Sequence, residues 1–200
     1  NLVAIVQSSV RRLLAYSAIA HAGYMLVAVL TRGQQGLAPL IYYAITYGLT
    51  TIGAFGVVAV VENGSGQDKL AAFAGLSRRA PLVSFCMMVF MLSLAGIPPL
   101  AGFFGKFYIF AAAIKSGAPN LGLLWLVILA VTMSAVSLYY YLQVLKQIYV
   151  HDEKSPPNTT QVPILIQVPL ALLALAVIVL GAAPNLLLAR LLVAPRVAGM

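Results

Sequence analysis

The chain has 200 residues, 62% of them apolar and 8% charged, with a mean hydropathy of +0.99 and a formal net charge of +8. An ordinary soluble domain carries ~45–50% apolar and ~25% charged residues, so a soluble globule and a disordered chain are both excluded and a lipid bilayer is the expected solvent. The twelve Lys and Arg stand singly or in pairs rather than as a basic stripe, which argues against a nucleic-acid partner and leaves membrane orientation as their default reading.

A membrane span needs about 20 apolar residues. Asn1 to Val6 is apolar from Leu2 onward and shows neither an initiating Met nor a signal-peptide pattern, so it reads as the end of a helix that begins upstream, in a fragment. The first span, Leu13 to Leu30, follows Arg11-Arg12 and stops at a turn-forming cluster ending in Gly36. Leu37 to Val61 is the second. Leu70 to Ala80, half apolar and ending in Arg78-Arg79, reads as a short interfacial segment. The third run, Pro81 to Ile114, is too long for one span and carries Gly96-Ile97-Pro98-Pro99 in its middle. Leu121 to Val150 is the fourth, with Tyr139-Tyr140-Tyr141 and Tyr149 toward an end where aromatic rings suit an interface. His151 to Thr160 is the clearest loop, Val162 to Ala183 the fifth span, and Asn185 to Met200 a surface tail. The expected fold is all-α, a polytopic transmembrane bundle, with residues 1–200 as one membrane domain. The single Cys86 rules out an intrachain disulfide and reads as a small core hydrophobe.

Alternate loops must lie on opposite sides of the membrane. One side then collects Arg11, Arg12, Lys69, Arg78, Arg79, Lys146 and Lys154, and the other Arg32, Lys115, Arg190 and Arg196. The richer side is expected to be cytoplasmic. All four acids, Glu62, Asp68, Asp152 and Glu153, fall on that side too.

Lys106 is the basic residue left over, inside the third run with no charge nearer than Lys115. A charge in hydrocarbon costs from ~2.5 kcal/mol upward and normally faces a bundle interior or a water-filled cavity. The alternative is snorkelling toward the interface beyond Ile114. Just before it, Pro98 and Pro99 remove two backbone donors, so the helix must break near Gly96 and leave unpaired carbonyls at membrane depth. Such backbone is tolerated where it is buried in protein or lines a cavity, and often marks a transport site, although a kink used only for packing is the plain alternative. Desolvation penalises the ammonium, so a buried lysine can exchange its proton under the control of neighbouring charges.

His21 lies mid-span with Ser17 and Tyr24 on its face of the helix. It reads equally as an interhelical hydrogen-bonder or a proton relay. Tyr43, Tyr47 and Thr51 form a stripe on the second span, and Ser134, Ser137 and Tyr141 one on the fourth; both suit helix packing as well as the lining of a proton path. Gly105-Lys106 is not a phosphate loop, because Leu100 and Phe107 stand where that motif requires Gly and Ser or Thr. No His-Glu-x-x-His, Cys-x-x-Cys, paired carboxylates or base-activated nucleophile occurs. The glycosylation patterns at Asn63 and Asn158 fall in loops placed inside and read as chance.

The stretches Arg11-Arg12-Leu13-Leu14-Ala15-Tyr16-Ser17-Ala18-Ile19-Ala20-His21-Ala22-Gly23-Tyr24 and Leu92-Ser93-Leu94-Ala95-Gly96-Ile97-Pro98-Pro99-Leu100-Ala101-Gly102-Phe103-Phe104-Gly105-Lys106-Phe107-Tyr108 closely resemble the antiporter-like membrane subunits of respiratory complex I, the proton-translocating NADH:quinone oxidoreductase. Gly105-Lys106-Phe107-Tyr108 is similar to the N-type members. The resemblance implies two inverted repeats, each with one discontinuous helix, of which this chain holds most of the second repeat and the last helix. It implies that Lys106 is the family's lysine on the second broken helix and His21 its polar position on helix ten; the expected path then has Lys106 as proton-loading group beside the break at Gly96, Pro98 and Pro99, with His21, Tyr47, Ser134 and Tyr141 as relay. It further implies other complex I membrane subunits and the N-terminal half of the same subunit as partners, a bacterial cytoplasmic (inner) membrane, and no cofactor in this chain; NADH, flavin, iron-sulfur clusters and quinone belong to the parent complex. A Mrp-type cation/proton antiporter or membrane-bound hydrogenase subunit shares this fold and is the alternative, and a structural scaffold in which Lys106 only snorkels is a second.

Overall fold

The computed structural model describes residues 1–31, 36–116, 123–152 and 162–197. The described residues form an all-α bundle, with one isolated bridge between Ser9 and Lys69. After a short α1 (Leu2–Ile5), helix α2 runs Val10–Val29 and α3 Leu37–Ser65. Helix α2 starts one turn before the expected span because Ser9 caps it, its hydroxyl accepting the Arg12 N–H at 3.1 Å. A 3-10 turn, Leu70–Phe73, and α4 (Leu76–Arg79) make up the surface segment. Then come α5 (Pro81–Ala95), α6 (Ala101–Lys115), α7 (Leu124–Tyr149), α8 (Ile164–Ala182) and α9 (Asn185–Val197).

Four helices, α2, α3, α7 and α8, are long and apolar enough to cross a membrane alone. The third expected run, Pro81 to Ile114, is two half-helices of 15 residues each, broken where Gly96 to Pro99 stand. At ~1.5 Å per residue each is about 22 Å long, short of the ~30 Å hydrocarbon core. The loop expected at His151 to Thr160 lies mostly outside the described residues, as do Arg32, Glu153, Lys154 and Asn158.

Helix α3 packs on α2, α5, α6, α8 and α9. Because nearly every face is apolar, fit rather than hydrophobicity separates core from lipid face. Gly53 of α3 lies against the Phe90 ring of α5, where a Cβ would overlap it, and Cys86 is buried beside it in the same core. Ile52, Leu82, Phe85, Leu165 and Leu172 point outward.

The ends assigned to one side do meet. Arg11 pairs with Glu62, Ser9 donates to Asp68, and Arg78 pairs with Asp152 at 2.8 Å, tying the start of α2 to the end of α3 and α4 to the end of α7. One expectation is corrected. Tyr140 and Tyr141 are fully buried in the core, while Tyr139 and Tyr149 face outward. Successive helical residues point ~100° apart, so three consecutive tyrosines at one depth cannot all face outward.

Candidate functional site

The break between α5 and α6 is built from its sequence. Gly96, at φ 85°, ends α5 in the left-handed conformation that its lack of a Cβ permits. Its N–H donates to Ser93 O at 3.0 Å, and the Ile97 N–H reaches Leu92 O at 3.0 Å, the pair of bonds that makes a Schellman cap. Two carbonyls of the last turn, Leu94 and Ala95, remain for another donor. Pro98 and Pro99 follow, joined by a cis peptide, and α6 opens at Ala101. The Ser93 hydroxyl accepts the Gly102 N–H at 3.1 Å, so α5 caps the first turn of α6. Gly102 permits this contact, because a Cβ there would overlap the Ser93 carbonyl.

Lys106 supplies the missing donor. Its Nζ donates to Leu94 O at 2.8 Å, Ala95 O at 3.3 Å and the Ser134 hydroxyl of α7 at 2.8 Å. An ammonium has three N–H groups, and all three are used. The side chain is 5% exposed and turns back toward the start of its own helix, so it does not snorkel past Ile114. Its counter-charge is the C-terminal end of α5, equivalent to about −0.5 of an elementary charge. The Tyr24 ring lies 5.3 Å from Nζ, within cation–π range. Lys106 and Ser134 also border an apolar cavity of about 330 Å³ between α6 and α7.

His21 is buried with both ring nitrogens engaged. Nδ1 meets the Tyr43 hydroxyl at 2.6 Å and Nε2 the Tyr141 hydroxyl at 3.1 Å. Tyr141 also bonds Ser17. Tyr47 stacks on the imidazole, ring centres 4.7 Å apart. Tyr24, edge-on to His21 at 5.6 Å, stands between this cluster and Lys106.

The structure therefore brings Lys106 to Ser134 and His21 to Tyr141 and Tyr47, in two clusters that share Tyr24. No direct hydrogen bond among the described residues links Lys106 to His21. Ser137 bonds the Ser134 carbonyl at 2.6 Å rather than its hydroxyl. Two residues had no signal in the sequence: Asn1, whose amide donates to Tyr24 OH at 3.3 Å and to Met133 O at 2.9 Å, and Tyr140, which donates to Asn1 Oδ1 at 2.9 Å. Tyr43 was visible only as one member of a stripe.

The family profile described as "NADH:quinone oxidoreductase/Mrp antiporter, TM" matches residues 1–137, which include His21, Lys106 and Ser134. The chain is 54% identical, over 94% of its length, to NADH-quinone oxidoreductase subunit N 2 of Acidobacterium capsulatum, and 42% identical, over 92%, to subunit N of Desulforamulus reducens. It spans 38% and 37% of those relatives, just over a third of their length. Among solved structures it superposes with TM-score 0.79 and 38% identity on a chain of respiratory complex I from Thermus thermophilus with bound Aureothin, over 94% of this chain and 41% of that one. A chain of the Mrp complex from Dietzia sp. DQ12-45-1b gives TM-score 0.79 at 22% identity, over 92% and 42%, a likeness of fold alone.

Proposed function

The chain belongs to the NADH:quinone oxidoreductase/Mrp antiporter membrane family, and on that premise we propose that it is the proton-transferring part of an energy-coupling subunit in a bacterial NADH:quinone oxidoreductase, with Lys106 as the group that takes up and releases the proton. The observation that carries this is an ammonium in the bundle core held by two helix-end carbonyls and one hydroxyl. Among the described residues no acid lies in the bundle core: Glu62, Asp68 and Asp152 stand at surface ends of the helices. Without a fixed carboxylate partner, the charge on Lys106 is free to answer charges supplied by the rest of the complex.

The protonated form fills three acceptors. A neutral amine keeps two N–H groups and gains a lone pair, so on release of the proton either the Ser134 hydroxyl turns to donate to Nζ or one carbonyl at the end of α5 loses its donor. Protonation is thereby coupled to the bonds that cap α5 and hold Ser134. A positive charge approaching from the N-terminal half of the subunit favours release, and its withdrawal favours reloading. Ser134 is the first acceptor on the path. At the other end, a neutral imidazole has one donor and one acceptor nitrogen, so Tyr43 and Tyr141 hold opposite roles toward His21. Passage of a proton along Tyr43, His21 and Tyr141 exchanges those roles. Tyr24, beside both Lys106 and His21, is the side chain common to the two clusters.

Partners in this reading are the N-terminal half of the same subunit and other membrane subunits, in the bacterial cytoplasmic membrane, with the basic ends of α2, α4 and α7 inside. NADH, flavin, iron-sulfur clusters and quinone act in the parent complex. The greater identity to subunit N than to the Mrp chain favours the oxidoreductase over the antiporter. The test is Lys106→Met in the full-length subunit, with proton pumping and NADH:quinone turnover measured together. Pumping that is lost while the complex assembles supports the assignment. Unchanged pumping and turnover make Lys106 architectural and the chain a scaffold.

A further inference from the structure

A second cavity, of about 410 Å³, lies at the opposite end of α7 from Leu124, between that helix and the turn at Leu70. Its polar lining is Gln143, Lys146, Gln147 and His151, and its membrane edge is Tyr139 and Leu142. The volume is within the ~300–1,000 Å³ of small-ligand sites. Helix α7 has 26 residues, about 39 Å at ~1.5 Å per residue, so about 20 of them cross the ~30 Å hydrocarbon and the helix emerges near Gln143. The four polar side chains therefore stand at headgroup level. Tyr139 and Leu142, 54% and 44% exposed, stand just inside the apolar layer.

Lys146 is the basic side chain that lines this cavity. On the same face Arg11 is paired with Glu62 and Arg78 with Asp152, and Arg79 donates to the carbonyls of Ala72 and Ala74. The Lys146 ammonium has no ion pair or hydrogen-bond partner among the described residues, and none of the described residues lining the cavity is an acid. A cation among amide donors, open toward lipid, complements a phosphodiester. The apolar path continues below. Leu142 lies one turn from Leu138, which with Val131 and Ala135 lines the cavity beside Lys106. From Lys146 to Ser134 is about 18 Å along the helix, close to one leaflet of a ~30 Å core.

We infer that this cavity is a site for an anionic phospholipid, its phosphodiester held by Lys146 with Gln143, Gln147 and His151, and an acyl chain running down Leu142 and Leu138 toward the cavity beside Lys106. A free anion would not need the apolar edge, and a zwitterionic lipid would leave the lysine uncompensated.

The experiment places the photo-crosslinker of Leu142→p-benzoylphenylalanine in the full-length chain within its assembled complex. The complex is reconstituted in vesicles of equal phosphatidylglycerol and phosphatidylcholine, and the adducts are identified by mass spectrometry. The expected result is an excess of phosphatidylglycerol adducts that falls about fivefold with Lys146→Gln, the change expected for one basic residue near an anionic headgroup. Lys146→Arg retains the excess. Adducts in the ratio of the vesicle, an excess insensitive to Lys146→Gln, or crosslinks to a neighbouring subunit in place of lipid would each overturn the inference. So would abolition of the excess by inorganic phosphate, which would make the cavity a simple anion site.

Discussion

The charges at the surface ends of the bundle and the charge in its core are held in opposite ways. Arg78 and Asp152 form an ion pair in which both side chains are mostly exposed, and such pairs contribute ~0–1 kcal/mol. Lys106 meets no acid among the described residues; its partners are two carbonyls that the end of α5 cannot satisfy and a serine hydroxyl. The surface pairs fix which helix ends lie together. The core lysine is held well enough to stay and neutralised little enough to remain responsive to other charges, which is what a proton-loading group requires.

Lys106→Met abolishes pumping and leaves the Leu94 and Ala95 carbonyls uncapped, each at ~1–3 kcal/mol, which thermal unfolding of the assembled complex registers as a lowered midpoint. Lys106→Arg separates the two roles by keeping the donors while removing easy deprotonation: the midpoint recovers and pumping does not. Gly102→Val drives a branched side chain into the Ser93 carbonyl and reduces subunit incorporation, read by immunoblot of the purified complex. His21→Phe breaks the links to Tyr43 and Tyr141 and slows pumping by ~100-fold or more on the scale of a lost proton-transfer group; pumping at the wild-type rate would remove His21 from the path. Ser134→Ala deletes one of the three acceptors and lowers pumping severalfold without loss of assembly. At the shallow end, Arg78→Ala changes the unfolding midpoint by no more than a degree or so and leaves pumping unchanged, since ~0–1 kcal/mol is small against a domain's total.

Much of this was legible in the sequence. Hydropathy located the spans, and two consecutive prolines after a glycine located the break, because few contexts let a helix continue through them. Pro169 shows the limit of that signal. It stands inside α8, which runs unbroken from Ile164 to Ala182, so one proline near a helix start is absorbed where Gly96-Ile97-Pro98-Pro99 is not. Lys106 was conspicuous as a lone charge in an apolar run. What the sequence withheld was the partner of each group. Spacing placed Ser134 and Tyr141 on one stripe of α7, but only the crossing of α2, α3, α6 and α7 sends Ser134 to Lys106 and Tyr141 to His21. Asn1 was hidden for the same reason: its bonds to Tyr24 and Tyr140 join residues 23 and 139 positions away, and no local periodicity reports such a contact.

A proton-loading Lys106 must change protonation during turnover. Time-resolved infrared difference spectroscopy on the assembled complex, with lysine labelled with nitrogen-15 and the cycle started by NADH, reads this directly. The account predicts an ammonium band that shifts with the label, rises and decays with turnover, and is missing from Lys106→Met. A difference spectrum insensitive to the label, or one with the same lysine band in Lys106→Met, would contradict it.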